Sequence, residues 1–235
     1  MTELINTLEQ IDTHLLLFLN GFHNAYWDYF MMMFSSRFVW APFYVSFVYV
    51  MFRNYPPKDV AKCLIAIVAI ILLSDQTAST LLKPMVERMR PSNMDNPIAP
   101  MVHVVSNYRG GRYGFPSSHA ANAWGLAFFA TYLVRNRKLS TFLMLWAAMM
   151  AYSRIYMGVH YPGDLFVGLL IGWGFATLCY WLMHHYDRTT TQQWQYRPGS
   201  LRHAQVPILM GLATIVVLLM LAGIMSYMNA DVFFK

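Results

Sequence analysis

Long apolar runs constrain the fold of this chain more than any other feature of its sequence. Residues 60–82 and 206–228 are each long and apolar enough to cross the hydrocarbon core of a bilayer, which takes about 20 residues of α-helix. Only 12% of the residues are charged, about half the fraction found in soluble domains. Inside a membrane, a chain must satisfy its backbone hydrogen bonds internally, and a helix does so within one segment. We therefore predict an all-α, polytopic membrane protein.

The remaining apolar runs extend this prediction to a helical bundle of five to six spans. Residues 4–18 place apolar side chains at helical spacing with acidic side chains off that stripe, which predicts an N-terminal amphipathic helix in the membrane interface. Residues 22–34 are rich in aromatic and Met side chains, as in an interfacial belt or a partial span, so whether residues 20–36 cross stays open. The predicted spans are 38–52, 60–82, 118–134, 139–157, 162–185 and 206–228.

Basic residues predict the orientation of these spans. They are concentrated in every second loop between the predicted spans. The first of these loops contains Arg53, Lys58 and Lys62, the second Arg135, Arg137 and Lys138, and the third Arg188, Arg197 and Arg202. By the positive-inside rule these loops are cytoplasmic, and the intervening loops face the outside. The N-terminus lacks the basic segment of a cleaved secretory signal, so we expect the first span to act as its own insertion signal.

Three ionisable clusters stand at the ends of apolar runs, where charged groups are costly and a functional role is the first expectation. They are Lys83–Pro91, Pro116–His119 and Ser153–Asp164. The orientation above places all three clusters on the outer side of the membrane. Their shared side indicates that they form one site.

Lys83 and Arg90 offer two cations near the outer end of the second span. They are seven residues apart, so a continuous helix would present both on one face. Pro84 interrupts such a helix, and Pro91 biases Arg90 toward extended geometry. Two cations here suit an anionic ligand, whereas the plainer interpretation is a pair of snorkelling or stop-transfer charges.

Ser117 is a candidate N-cap for the third span. The free amides of Ser118 and His119 would then point out of the helix start, where amides and helix dipole together bind phosphate. The imidazole of His119 could donate a proton to a leaving oxygen. The plainer interpretation is a capping serine beside a surface histidine.

The third cluster combines a cation, an imidazole and a carboxylate. Arg154 suits bidentate binding of an oxyanion. His160 and Asp164 are four residues apart across a helix start, so Asp164 can fix the tautomer of His160 and leave its other nitrogen free to attack. A metal site would need more converging ligands, and the nearby candidates are only His103, Asp95 and Glu87. We predict no metal.

The order and spacing of these residues resemble the three-part signature of the type 2 phosphatidic acid phosphatases, membrane enzymes that share their core with vanadium haloperoxidases. The matching pattern is Lys83-x6-Arg90-Pro91, Pro116-Ser117-x-His119 and Ser153-Arg154-x5-His160-x3-Asp164. The resemblance covers roughly residues 60–185. Ser118 departs from the family, which often has glycine there, although the backbone amide is the group that matters at this position.

The resemblance implies a role for each of these residues. His160 would be the nucleophile that forms a phosphohistidine, Asp164 would orient it, and His119 would protonate the leaving group. The phosphoryl oxygens would be held by Lys83, Arg90, Ser117, Arg154 and the amide of Ser118. No cofactor is implied. The chain then divides into an N-terminal interfacial segment, a catalytic membrane core, and a cytoplasmic loop with an extra span, at residues 1–36, 37–186 and 187–235.

The resemblance also implies a lipid phosphatase that acts on a phosphomonoester or diphosphate. The short chain and compact first part favour undecaprenyl diphosphate, with lipid A and phosphatidylglycerophosphate as close alternatives. We expect the enzyme in the plasma (bacterial inner) membrane, with its site on the outer, periplasmic side. A transporter or flippase that only binds an anionic headgroup is the alternative, although few charges lie deep in the spans.

The predicted partner is a phosphorylated membrane lipid, and nucleic acid is excluded. The net charge of +6 comes from basic residues spread over short loops rather than gathered on one face. Three features outside the signature stay open. Asp75 is expected to pair either with a cation of the site or with a Ser or Thr of a neighbouring helix. His103 and the loop Arg109–Arg112 are expected either to contact the lipid headgroup or to be solvated.

Overall fold

A computed structural model of the protein describes residues 2–186 and 203–228. In this part of the chain the regular structure is helical, and the only β-contact is an isolated bridge between Met89 and Tyr113. The helices are α1 (Thr2–Asn20), α2 (Ala25–Phe34), α3 (Ala41–Asn54), α4 (Pro57–Asp75), α5 (Lys83–Val86), α6 (Ser118–Val134), α7 (Arg137–Tyr156), α8 (Pro162–Tyr186) and α9 (Gln205–Tyr227). The all-α prediction is confirmed.

Short helical pieces of other types complete the description. A π-helical segment, Gln76–Leu82, joins α4 to α5 without a break. Single turns of 3-10 helix lie at Arg37–Trp40, Ala99–Met101 and Val105–Asn107. The predicted cytoplasmic residues Arg188, Arg197 and Arg202 lie outside the described residues.

Three helices in the described part of the chain are long and apolar enough to cross a membrane. They are α4 with its continuation through α5, then α8, then α9, which cover Pro57–Val86, Pro162–Tyr186 and Gln205–Tyr227. Each coincides with a predicted span. The other three predicted spans coincide with α3, α6 and α7, and two of these helices are short, with 14 residues in α3 and 17 in α6. That α3, α6 and α7 cross the membrane stays a prediction.

The N-terminal helix carries its apolar stripe on the outside of the protein. Five members of the stripe are exposed, namely Leu4, Leu8, Ile11, Leu15 and Phe18. The opposite face contacts α7 and α8 and buries Leu16 and Asn20. Helix α2, with ten residues and a length of about 15 Å, is by itself too short to cross. The interfacial position of α1 stays a prediction.

Helix α6 lies at the centre of the bundle, where it packs against α8, α7 and α4. Its approach to α8 is close because two glycines of α8, Gly168 and Gly172, face it. A Cβ atom on Gly168 would lie 2.6 Å from the carbonyl oxygen of Ser117, and one on Gly172 would collide with that of Ala121. The starts of α6 and α8 are joined directly, since the amide of Ser117 donates to the carbonyl of Asp164 at 3.0 Å.

A tight turn between α7 and α8 places the third cluster beside the helix starts. Gly158 has a φ of +72°, and a Cβ atom there would lie 2.5 Å from the carbonyl oxygen of His103, so only glycine fits without strain. The amide of Val159 donates to the carbonyl of Arg154 at 3.1 Å. The chain therefore reverses within a few residues and enters α8 at Pro162.

The loop after α5 crosses the same end of the bundle and begins with a short extended segment at Met89, which bridges to Tyr113. The helix ends because Glu87 is left-handed, with a φ of 52°. Two backbone hydrogen bonds then pair this segment with the end of the loop, Arg90 to Arg112 at 3.1 Å and Gly114 to Arg88 at 2.8 Å. Arg90 thus approaches the site from an extended segment. The expectation that one helix face presents both cations is wrong, and the extended geometry expected before a proline is confirmed.

Candidate active site

His160 lies at the centre of the three clusters and is 1% exposed. Its Nδ1 is 3.1 Å from Oδ2 of Asp164, and its Nε2 is 2.9 Å from Nη1 of Arg90. Arginine can only donate, so Nε2 must be the accepting nitrogen and Nδ1 must carry the proton. The imidazole therefore donates Nδ1–H to the carboxylate and directs the Nε2 lone pair toward the cations.

Asp164 is fully buried and receives three donors. Besides His160 these are the backbone amide of Tyr161, at 3.0 Å from Oδ2, and Nη1 of Arg88, at 3.0 Å from Oδ1. These three donors, one of them an arginine, offset the cost of burying the carboxylate. Arg88 was not among the predicted site residues.

Arg90 and Arg154 approach His160 as buried cations, 9% and 3% exposed. Arg90 also donates to the carbonyl of Val159 at 3.0 Å, and Arg154 donates to the hydroxyl of Ser35 at 2.6 Å. In both guanidinium groups the buried Nε–H has no acceptor among the described residues. Unpaired buried donors are rare in proteins, and two of them beside one imidazole suit an oxyanion.

Lys83, the first residue of α5, completes the set of cations. Its ammonium group lies 3.2 Å from the hydroxyl of Ser79 and 3.5 Å from that of Ser118. Ser79 in turn lies 3.4 Å from the carboxylate of Asp75. Asp75 is therefore linked to a site cation through a serine of its own helix. Ser118, which stands where the family often has glycine, places its hydroxyl against the lysine.

The start of α6 contributes backbone donors to the same place. Ser117 is its N-cap, and its hydroxyl accepts from the amide of Ala120 at 3.3 Å. The amides of Ser118 and His119 belong to the first turn and have no acceptor within the helix. Helix start and cations together form a positive cradle around Nε2 of His160.

His119 and Ser118 also line a cavity of about 590 Å³ that extends from the cradle between α3, α4, α6 and α7. Most of its wall is apolar, with side chains that include Phe43, Phe47, Leu64, Ile67, Leu126 and Trp146. Its polar lining includes those two residues with Arg37, Tyr44, Asp75 and Asn122. An apolar chamber that opens on a phosphate cradle can accept the hydrocarbon part of a lipid.

The electrostatic surroundings of His160 keep its imidazole neutral. Burial lowers the pKa of His160 well below 6.5, and Arg90, Arg154 and Lys83 lower it further. Burial likewise lowers the pKa of Arg90, with Arg154 as the next cause. For Arg88, burial lowers the pKa, but the carboxylates of Asp164 and Asp12 outweigh it and the net shift is upward.

The other residues left open by the sequence lie beside the site rather than in it. His103 lies 2.9 Å from the carboxylate of Asp28 and stacks on His23 at 3.7 Å. Arg109 donates to the carbonyl of Ser92 at 2.6 Å, which fixes the loop. Gly110 packs on Arg90, where a Cβ atom would lie 3.1 Å from its Nε.

Sequence reasoning missed four contributors, of which Arg88 is the most central. The others are Asp12, which pairs with Arg88, Ser35, which binds Arg154, and Tyr108, whose ring lies 5.7 Å from the Arg154 guanidinium. Arg88 could have been found, because residues two apart in an extended segment point to the same side and Arg90 was already in the site. The others come from distant parts of the chain and left no local signal.

Comparisons with known proteins agree with this geometry. The PAP2 superfamily matches residues 60–188. The chain is 43% identical to a lipid A 4'-phosphatase of Bacteroides thetaiotaomicron over 227 residues, which covers 95% of this chain and 98% of that protein. It is 33% identical to a lipid A 4'-phosphatase of Porphyromonas gingivalis, over 69% of both chains.

The chain belongs to the PAP2 superfamily. A further, shorter match is undecaprenyl-diphosphatase BcrC of Bacillus subtilis, 40% identical over 65 residues, or 26% of this chain. The fold is similar to the crystal structure of Aquifex aeolicus LpxE, with a TM-score of 0.54, 24% identity, and coverage of 71% of this chain and 93% of that one. Membership confirms the predicted family and the prediction of an enzyme that hydrolyses a lipid phosphate. It sets the transporter alternative aside.

The lowered pKa of His160 predicts the acid limb of the activity profile. The imidazole can attack only when neutral, and it takes up a proton only when the pH falls through a pKa that lies well below 6.5. We expect the acid limb of kcat/KM below that value, measured as phosphate release from about pH 4 to 8. The phosphomonoester substrate itself ionises a second time near pH 6. This ionisation is measured separately, and the kcat/KM profile is corrected for it. An acid limb at or above 6.5 would contradict the neutral buried imidazole.

Proposed function

We propose that the protein removes a phosphate group from lipid A, as the 4'-phosphatases it resembles are named to do. The observation that carries this proposal is 43% identity over 95% of the chain, which includes the N-terminal helices and the last helix outside the signature. The match to the undecaprenyl-diphosphatase, over 65 residues, is shorter than the stretch from Lys83 to Asp164 that holds the three clusters. The substrate preference therefore moves from undecaprenyl diphosphate to lipid A.

The reaction proceeds in two steps at His160. The phosphate ester binds with its oxygens among the cations and the amides of the α6 start, and one oxygen takes over the Arg90 N–H that otherwise bonds to Nε2. Nε2 attacks phosphorus, the ester P–O bond breaks, and His119 gives a proton to the leaving alkoxide. Water then attacks the phosphohistidine, His119 takes a proton from it, the P–N bond breaks, and inorganic phosphate leaves.

Asp164 and the cations stabilise different parts of this reaction. As Nε2 bonds to phosphorus, the imidazole gains positive charge, which the carboxylate of Asp164 balances through Nδ1–H. The free Nε–H groups of Arg90 and Arg154, the ammonium of Lys83 and the amide of Ser118 face the negative charge on the phosphoryl oxygens. Ser117 holds this amide in place by capping the helix.

The cavity beside His119 supports a lipid as the leaving group. The residue that protonates the leaving oxygen lines the cavity, so the rest of the leaving molecule extends into it from the cradle. The apolar wall suits the acyl chains near the polar head, and Arg37 and Asn122 at its polar part can bind hydroxyl or phosphate groups of the sugar.

The membrane arrangement follows from the same proposal. The bundle crosses the bacterial inner membrane with five to six spans, α1 lies in the interface, and the site faces the periplasm. The catalytic core is residues 37–186, with an N-terminal segment at 1–36 and a cytoplasmic loop and extra span at 187–235. The N-terminal segment is tied to the core, since Asp12 and Ser35 pair with core arginines. Catalysis needs no metal, because the cations and the helix start supply the positive charge.

A panel of lipid phosphates tests the substrate. We expect detergent-solubilised protein with EDTA present to release phosphate from lipid A at least about tenfold faster than from undecaprenyl diphosphate or phosphatidylglycerophosphate. His160→Ala, the matched control, reduces release to background because no nucleophile remains. Faster release from undecaprenyl diphosphate would restore the ranking favoured by the sequence. A requirement for added metal would contradict the mechanism.

The role of His119 predicts a dependence on the leaving group. We expect His119→Ala to lower kcat on lipid A by about 10² to 10⁴, because an alkoxide leaves poorly without a proton. The loss on 4-nitrophenyl phosphate is much smaller, because a nitrophenolate needs no proton. His185→Ala, an exposed histidine at the far end of α8, is the control with unchanged activity. Equal losses on both substrates would assign His119 to binding instead.

Cysteine labelling tests the orientation. Met94→Cys lies in the exposed loop that crosses the site, and Lys138→Cys lies at the start of α7, in the loop predicted to be cytoplasmic. An impermeant maleimide on intact spheroplasts should label the first variant and should label the second only after permeabilisation. The native Cys63 and Cys179 are buried and set the background. The reverse pattern would place the site in the cytoplasm.

A further inference from the structure

A chain of ion pairs connects the N-terminal helix to His160. Nη2 of Arg88 lies 2.7 Å from Oδ2 of Asp12 in α1, and its Nη1 lies 3.0 Å from Oδ1 of Asp164. Asp164 in turn lies 3.1 Å from Nδ1 of His160. Each contact is largely buried, with the Arg88 and Asp12 side chains 19% and 14% exposed and that of Asp164 fully buried. Such pairs are weakly screened, so a change at one end is felt at the other.

Arg88 is held too completely to be a phosphate ligand. Both of its terminal nitrogens are occupied by carboxylates, and its guanidinium lies 3.8 Å from the centre of the Tyr161 ring. The Tyr161 hydroxyl accepts from Asn96 at 3.0 Å, which fixes the ring. Arg90, by contrast, retains a buried Nε–H with no acceptor among the described residues. The two arginines of one extended segment therefore have different tasks, and Arg88 serves the carboxylate.

Asp12 is positioned as firmly as Arg88. Its Oδ1 accepts from the amide of Gly163 at 2.7 Å, in the first turn of α8, where an anion is favoured by the helix dipole. A Cβ atom on Gly163 would lie 2.8 Å from Oδ2 of Asp12, so the close approach depends on glycine. Asn20 anchors the end of the same helix by donating to the carbonyls of Ile155 and Tyr156. Helix α1 is thus bound on both sides of the turn that carries His160, at the end of α7 and at the start of α8.

We infer that Arg88 and Asp12 are positioning residues of the hydrolysis, through which the N-terminal helix sets the reactivity of His160. This inference rests on the proposed roles of His160 and Asp164. Arg88 keeps the carboxylate of Asp164 charged and aimed at Nδ1–H, and Asp12 keeps Arg88 in that position. Asp12 lies outside residues 60–188, the region matched by the superfamily, so the reaction depends on a residue that the three clusters do not contain.

Kinetic measurements on four variants test this inference. We expect Arg88→Met to lower kcat about 10- to 100-fold with little change in KM, because it disturbs the nucleophile and leaves the cradle intact. Its acid limb moves to higher pH, because losing a nearby cation makes protonation of the buried His160–Asp164 pair easier. Arg88→Lys recovers part of both effects, and Asp12→Asn shows both in weaker form. Glu9→Gln removes the same charge from an exposed position one turn earlier in α1 and should behave as wild type.

A double variant separates a connected chain from two independent effects. Asp12→Asn added to Arg88→Met should cause no further loss, because Asp12 acts only through the arginine. If the losses of the two single variants multiply in the double variant, the inference is overturned. It is also overturned if Arg88→Met has the kcat and pH profile of the wild type, or if it raises only KM. Should Arg88→Met fail to fold, as judged by its thermal midpoint, the pH shift of Asp12→Asn decides between the same outcomes.

Asp164→Asn distinguishes failure of this inference from failure of the proposed function. An active wild type with an inactive Asp164→Asn supports the proposed roles whatever the Arg88 variants show. An active Asp164→Asn contradicts those roles directly, independently of Arg88 and Asp12.

Discussion

The buried pair of His160 and Asp164 is the interaction on which the rest of the site depends. A carboxylate without exposure to water is stable only with partners, and removing one partner of a buried pair costs about 3–5 kcal/mol. Asp164 has three, and one of them, Arg88, carries the compensating charge. Because Arg90 can only donate to the other nitrogen, the same set of contacts also fixes the tautomer that leaves a lone pair on Nε2 for the proposed attack.

Several backbone features at this end of the bundle serve to enclose the pair. The loop returns over it at Gly114, where a Cβ atom would lie 3.1 Å from Oδ2 of Asp164. The α6 start is bound to it, since the amide of Ser117 donates to the Asp164 carbonyl. The turn before it requires the positive φ of Gly158. These three elements together exclude water from one imidazole, which lowers its pKa and strengthens the field of the surrounding cations.

The sequence predicts those contacts of the site that form between residues close together in the chain, and it does not predict those between residues far apart in the chain. The i, i+4 relation of His160 and Asp164 and the capping role of Ser117 are properties of a helix start, and both contacts are present. The apolar runs likewise predicted the long helices. Asp12 and Ser35, however, meet their arginines only through tertiary packing, and their own surroundings in the sequence contain no hint of it. The proposed substrate changed for a related reason. The residues of the signature bind and transfer the phosphate, so they do not distinguish one phosphorylated lipid from another.

The central claim is that phosphate is transferred to Nε2 of His160, and trapping the intermediate tests it most directly. Enzyme mixed with lipid A labelled with ³²P in its phosphate is quenched in alkali within the first turnover, digested, and sequenced by mass spectrometry. Phosphohistidine is stable in alkali and labile in acid, so the account predicts an acid-labile label on the peptide that contains His160 and none in His160→Ala. An acid-stable label, a label on another residue, or turnover without a labelled enzyme would contradict the account.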